Sequence, residues 1–284
     1  MNQHIQLRLA LLTTLTGISN WRLILLDYSV ISDSVMSKLS PFLKQDSWLS
    51  SFLQKSAYNL SHNIKVQDLT CVMNDLSDNA FVTCKTPAIH TDFSFNLQSM
   101  GFRHIETSIS LNRPASPAPH FAPIVRVATP EDRYDVVAVA RRSFAFSRFH
   151  LDPNISNESA SSIKAAWADN FFNGLRGDGL LVAECQGNIA GFLQYIHNHD
   201  SSLSIDLIAV APEATRNHLG ASMIAYAANH GSLNGSSVVI NVGTQACNIP
   251  AMNLYLKLGF LITRAVNIYH YHSSSSKHLQ ESVL

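Results

Sequence analysis

Charge is scarce in this chain, and neither sign is in excess. Only 14% of the 284 residues are Asp, Glu, Lys or Arg, and 20 basic side chains are matched by 20 acidic ones. A nucleic-acid binder needs a cationic face to displace counterions from phosphates, so nucleic acid is excluded as the main partner. Long apolar runs are missing too. The nearest, LALLTTLTGIS at 9–19, is broken by three threonines and a glycine and falls short of the ~18 residues that span a bilayer. It lacks a basic cluster and a clear cleavage site, and reads as a helix of the folded chain rather than a signal peptide. Cysteine is sparse. Cys71, Cys84, Cys185 and Cys247 are far apart with no C-x-x-C spacing, which argues against a redox or cysteine-metal site and for reduced thiols in a cytoplasmic protein.

What is present divides at NRPASPAPHFAP, residues 112–123, where four prolines fall in twelve positions. Each proline removes a backbone donor and fixes φ, so this stretch is expected to be a linker between an N-terminal α/β domain, 1–111, and a second domain, 124–272. The tail, 273–284, is expected to be flexible. Before the linker, NAFVTCK reads as a strand, FSFNLQSMGF as a helix ending at Gly101, and RHIETSISL as a strand of period two. After it come a strand at 124–128, a helix started by Thr129 and Pro130, and a second helix around SIKAAWADNFFNGL, 162–175. A hairpin follows at 180–197, turning at Gln186-Gly187-Asn188, then a strand at 202–212.

Chemistry gathers in the last third. LIAVAPEATRNHLGASMI, 207–224, is a strand, a proline, a tight loop and a helix. Pro212 cannot donate to a sheet ladder, so the strand is expected to splay from its neighbour there and leave backbone groups unpaired. Arg216 to Ala221 (Arg216, Asn217, His218, Leu219, Gly220, Ala221) present backbone N–H groups at a helix start, which suits a pyrophosphate. In CNIPAMNLYLKLGF, 247–260, steps of ~100° put Asn248, Ala251 and Tyr255 on one face, with Met252, Leu254 and Leu256 expected to point to packing. Gly259 supplies the left-handed residue beyond the helix end. Without further context Asn248 is an N-cap and Tyr255 a half-buried aromatic.

Taken together, the strand with V-x-P, the loop ending in Gly220-Ala221, Asn248-x-x-Ala251-x-x-x-Tyr255 and Gly259-Phe260 resemble the GNAT superfamily of acyl-CoA-dependent N-acyltransferases. The resemblance covers about 123–272. It implies an α/β fold, a mixed and mostly antiparallel sheet flanked by helices, with acetyl-CoA as acyl donor held by Ile208, Ala209, Val210, the 216–221 loop, Asn248 and Ala251. The loop departs from the family's R/Q-x-x-G-x-G/A, with Thr215 at the first position and His218 at the first glycine. SFAFSRF at 143–149, Trp167 with Asn170, and Gln245 are similar to the branch that acetylates dTDP-4-amino-4,6-dideoxygalactose, as is LQSMGFRHIETSISL at 97–111.

The resemblance assigns Tyr255 as the acid that protonates the leaving thiolate, fitting a phenol whose ordinary pKa of ~10 keeps it protonated at neutral pH. For the base, Glu106 matches a cleft carboxylate of that branch. Asp206 shares strand parity with Ile208 and Val210 and is an alternative. On the acceptor, Arg148 suits a diphosphate and Trp167 a sugar or base face, although its spacing with Ile163 and Phe171 equally fits a core residue. Gln245 is a further acceptor contact. His270 and His272 share a strand face without an evident third ligand, so no metal is expected. The expected activity is transfer of acetyl to the amine of a nucleotide-linked amino sugar in surface polysaccharide synthesis, with a homodimer left open. The rivals are a GNAT enzyme for another small amine and a non-catalytic acetyl-CoA sensor.

Overall fold

The computed structural model describes residues 42–114, 124–230 and 239–273. The 9–19 helix, residues 115–123 of the expected linker and nearly all of the tail lie outside the described residues. The chain divides into residues 1–44 and a larger unit, Gln45–Leu284, which contains the candidate site.

Among the described residues, nine strands of four residues or more belong to the larger unit. In chain order they are β1 (Ser56–Ser61), β2 (Ala80–Pro87), β3 (Arg103–Pro114), β4 (Ile124–Val127), β5 (Gly179–Cys185), β6 (Asn188–His197), β7 (Leu203–Val210), β8 (Val239–Gln245) and β9 (Leu261–His272). The helices are α1 (Ser47–Leu53), α2 (Val66–Asp75), α3 (Thr91–Ser99), α4 (Arg133–Ser143), α5 (Asn157–Phe172), α6 (Leu219–His230) and α7 (Ile249–Lys257). The strands form one sheet in the order β1-β2-β9-β3-β8-β7-β6-β5-β4, antiparallel except for β1–β2 and β7–β8. It is the mixed, mostly antiparallel sheet flanked by helices that the sequence suggested.

Two features differ from the sequence expectation. Residues 112–114, expected in the linker, instead end β3, where they pair with β8. The last strand, β9, inserts between β2 and β3, so both ends of the larger unit share a sheet. The main apolar core forms around the middle strands, with Leu181, Phe192, Leu193, Met223 and Ile240 sealed from solvent. The β5–β6 turn needs two positive φ values, at Gln186 (52°) and Gly187 (78°). A two-residue hairpin turn with both central residues left-handed matches the twist of its strands.

Candidate active site

β7 and β8 run parallel through Leu203↔Ile240, Ser204↔Asn241 and Ile205↔Val242, and there the pairing stops. Pro212 is not the cause, since the ladder is lost six residues earlier. On its other side β7 stays paired to β6 as far as Val210↔Gly191, and the Ala211 amide still donates to the Ala190 carbonyl at 2.7 Å. Across that ladder Leu207 faces Gln194 and Ile205 faces Tyr195, leaving Asp206 as an extra residue. A bulge bends its strand and increases the local twist. Here it turns β7 away from β8 at the point where pairing ends. Successive strand residues direct their amides to opposite sides, so with Ala211 bonded toward β6, the Ile208 and Val210 amides face the gap.

The gap opens into a cleft of about 740 Å³, lined on one side by Ile208, Ala209 and Val210. The loop before α6 adds Arg216, His218, Leu219, Gly220 and Ala221. Asn217 does not join them, because its side chain turns to the Cys185 thiol at 3.8 Å. Arg216 and His218 hold φ of 68° and 60°, the left-handed region in which glycine is favoured. The position where the sequence replaces a glycine with His218 thus keeps the backbone geometry a glycine would adopt. Gly220 is small for a reason of space: a Cβ there would lie 3.2 Å from Leu254 Cδ2, across the narrow start of the cleft.

Helix α7 forms the opposite wall. Asn248 caps it by accepting from the Ala251 amide at 3.3 Å, and Pro250 sits in its first turn. Its end is closed by Gly259 at φ 82°, with the Phe260 amide donating to the Tyr255 carbonyl and the Gly259 amide to Leu256, a Schellman pattern. Asn248, Ala251 and Tyr255 all line the cleft. So does Leu254, which was expected to point to packing: it lies about 60° from Ala251 on the helix wheel, within the width of that face. Tyr255 is 3% exposed, and burial pushes its phenol above the ordinary value, so it holds its proton throughout the neutral range.

The candidate bases fare differently. Asp206 lines the cleft, but Arg176 grips both its oxygens at 2.6 Å and Gln194 donates to one at 3.2 Å. Both its oxygens are thus taken up by donors from the protein, and strand parity, which nominated Asp206, carries no sign of that partner. Glu106 is 6% exposed, and burial raises it to about 7, against the opposing pull of Arg148, Gln245 and Lys164. Gln245 and Lys164 both line the cleft, so Glu106 sits behind them. Gln245 bonds the carboxyl, while Glu106 Oε2 has no partner among the described residues. Lys164 is an addition to the residues nominated from sequence. It lies over the rings of Phe144 (4.8 Å) and Trp167 (4.5 Å), and burial, followed by the Arg148 charge, lowers it to about 8. The signal available in sequence was its place one helical turn before Trp167.

Arg148 and Trp167 are not in this cleft. They line a second cavity of about 370 Å³ with Trp48, Asn170 and Arg176. Trp167 packs on two apolar clusters and also lines this cavity. The histidine pair finds a third group the sequence did not reveal. Asp152 Oδ2 accepts from His270 Nδ1 at 2.7 Å and His272 Nε2 at 2.8 Å, and Lys55 Nζ lies 3.2 Å from His272 Nδ1. A lysine donating to Nδ1 leaves the His272 proton on Nε2, so the three act as a hydrogen-bonded clamp between β9 and the loop before α5.

The Acetyltransferase (GNAT) family profile matches residues 146–260, the segment that carries both strand partners of the gap, the α6 loop and α7. The spore coat polysaccharide biosynthesis protein SpsD of Bacillus subtilis (strain 168) is 28% identical over 242 residues, 81% of this chain and 82% of that protein. Among solved structures, a functionally unknown conserved protein from Staphylococcus epidermidis ATCC 12228 aligns with a TM-score of 0.58 at 13% identity, covering 77% of this chain and 85% of its own. A GCN5-related N-acetyltransferase from Sphaerobacter thermophilus aligns with a TM-score of 0.53 at 12% identity, over 78% and 74%. These two structures are similar to this chain in fold. No helix among the described residues is long and apolar enough to cross a membrane.

Proposed function

We propose, on the premise that this chain is an N-acetyltransferase with a GNAT domain at 146–260, that it acetylates the amine of a nucleotide-linked amino sugar during polysaccharide synthesis. The observation that carries the reading is the parting of β7 from β8 beside a buried, protonated tyrosine. The GNAT family takes acetyl-CoA as its acyl donor. In this cleft the pantetheine arm lies along Ile208–Val210, and the loop from Arg216 to Ala221 receives the pyrophosphate through backbone amides.

The chemistry follows from what each group can do. The Val210 amide, pointing into the gap, holds the thioester oxygen as charge builds on it. Glu106, poised near 7 and hydrogen-bonded by the Gln245 amide, accepts the proton of the attacking amine through ordered water, typically worth ~10²–10⁴-fold in rate. The C–N bond forms and the C–S bond breaks. Tyr255 gives its proton to the departing sulfur and regains one from solvent. Support for a sugar acceptor comes from the relative named for polysaccharide biosynthesis and from SFAFSRF, whose Phe144 and Ser147 line the cleft and whose Arg148 lines the adjoining cavity.

The experiment is thiol release from acetyl-CoA with a panel of amines. Turnover on nucleotide amino sugars and not on amino acids, polyamines or aminoglycosides is the expected result. Turnover confined to free amines overturns the acceptor assignment, and tight acetyl-CoA binding without release on any amine overturns the enzymatic one.

A further inference from the structure

The second cavity has a composition that the acetyl-transfer chemistry leaves unexplained. Two of the chain's three tryptophans meet there, Trp48 from α1 and Trp167 from α5, with ring centroids 6.1 Å apart in an edge-to-face arrangement. Two guanidinium groups, Arg148 and Arg176, share its wall with Asn170. Two buried donors, Arg148 Nη1 and Trp167 Nε1, have no hydrogen-bond partner among the described residues. Leaving a buried donor unsatisfied is unfavourable, so two on residues of one cavity point to acceptor atoms that the described residues do not supply.

The cavity adjoins the acetyl-transfer cleft through walls one side chain thick. Arg176 lines the cavity and pairs with Asp206, which lines the cleft. Lys164 lines the cleft and rests on the Trp167 ring, while Arg176 lies 4.9 Å from the same ring. The backbone passes from one space to the other between Ser147 and Arg148. The cations and aromatic rings of the cavity thus lie directly behind the wall of the cleft. Asp46 also borders the cavity, but it is occupied as the cap of α1, accepting from the Leu49 amide at 2.9 Å and from Asn59.

We infer that this second cavity receives the nucleoside diphosphate end of the acceptor. The diphosphate oxygens meet Arg148 and the Trp167 indole N–H, and the base lies against Trp48. Aromatic surface suits a heterocycle, and a guanidinium suits phosphate oxygens through its fixed fork of donors. The inference rests on the proposed nucleotide-sugar acceptor and adds the location of its nucleotide. It also gives α1, which lies outside the 146–260 segment, a part in substrate selection.

The test uses the full-length protein saturated with coenzyme A, so that a nucleotide cannot enter the acetyl-CoA cleft. Thymidine and uridine 5′-diphosphate are titrated in, following calorimetric heat and tryptophan fluorescence, with free monosaccharides and inorganic pyrophosphate as controls. The expected result is saturable binding of a nucleoside diphosphate with a fluorescence change, and weaker or no binding of the controls. Trp48→Ala should weaken that binding at least tenfold and leave the acetyl-CoA Kd unchanged. Because Trp48 also packs on Phe52, Asn170→Asp is the second variant: it adds a negative charge to the wall and should weaken the nucleotide without touching that packing. Turnover of a nucleotide sugar whose KM neither variant moves overturns the cavity assignment while the proposed activity stands. Binding of free sugar as tight as that of nucleotide overturns it as well. If no nucleotide binds and no nucleotide sugar is acetylated, the acceptor reading falls and the inference falls with it.

Discussion

Replacing Glu106 with Gln should make the protein more stable and less active, with pH deciding how much of each. Glu106 is held at about 7 against an ordinary 4.5, chiefly by burial. A tenfold change in proton affinity corresponds to about 1.4 kcal/mol, so ionising this carboxyl in the folded protein costs about 3 kcal/mol more than in the unfolded chain. For a raised carboxylate the folded state favours the proton. Its contribution is fully present below 4.5, is lost as pH rises from 4.5 to 7, and is constant above. Gln mimics the protonated group at every pH. E106Q and wild type should therefore melt together near pH 4, and the variant should gain about 3 kcal/mol by pH 8, roughly 6 to 12 °C for a unit of this size. Activity moves the other way. The wild-type kcat/KM should rise with pH around an apparent pKa near 7, and E106Q should lose ~10²–10⁴-fold together with that limb of the profile. Melting curves by circular dichroism at pH 4, 6 and 8, beside pH–rate profiles, measure both. An E106Q variant that melts no higher than wild type at pH 8, or keeps its pH–rate profile, refutes the assignment.

Other consequences are as direct. Tyr255→Phe should cut kcat ~10²–10⁴-fold and leave the acetyl-CoA Kd unchanged by calorimetry, because only the proton donor is removed; an unchanged kcat excludes Tyr255 as the acid. His218→Gly places glycine where φ is 60°, and relief of the left-handed backbone, ~1–2 kcal/mol, should raise Tm by a few degrees; a fall in Tm shows that the imidazole's contacts outweigh the strain. His270 is held near 4 by burial, so its neutral form contributes stability above pH 6.5 that is lost as pH falls toward 4, by about 3 kcal/mol. His270→Gln, having lost a bond to Asp152, should be less stable at neutral pH but show a flatter decline between pH 6.5 and 4 in urea unfolding; a parallel decline rules out His270 as its source.

What was legible in the sequence follows how local the cause is. Helix α7 could be read almost whole because its cap, its stripe and its stop are written in fourteen consecutive residues, from Cys247 to Phe260. Leu254 was misplaced there only because a helix face is wider than a single row. The gap between β7 and β8 was anticipated, but for the wrong reason. Pro212 is a local signal, whereas the bulge at Asp206 exists only relative to the register of β6, which one strand cannot reveal. Asp206 looked free for the same cause, its partner Arg176 lying thirty residues away. Asn217 belonged to the right loop, but its orientation follows from two neighbours with positive φ. The surroundings of Trp167 were least legible. Trp48, Lys164 and Arg176 meet only when α1, α5 and the segment after α5 are packed, so no spacing in the chain announces them.

The place of β9 between β2 and β3 bears on how this protein is made. At ~5–20 residues per second, the ribosome finishes β3 roughly seven to thirty seconds before it reaches Leu261. Throughout that interval β2 and β3 each lack the neighbour that later separates them, and their open edges can pair with other chains. The sheet closes only when β9, made long after β3, slides between two strands that precede it. A chain that stops before Leu261 lacks the strand that lies between β2 and β3, and the edges that β9 would cover stay open to other chains.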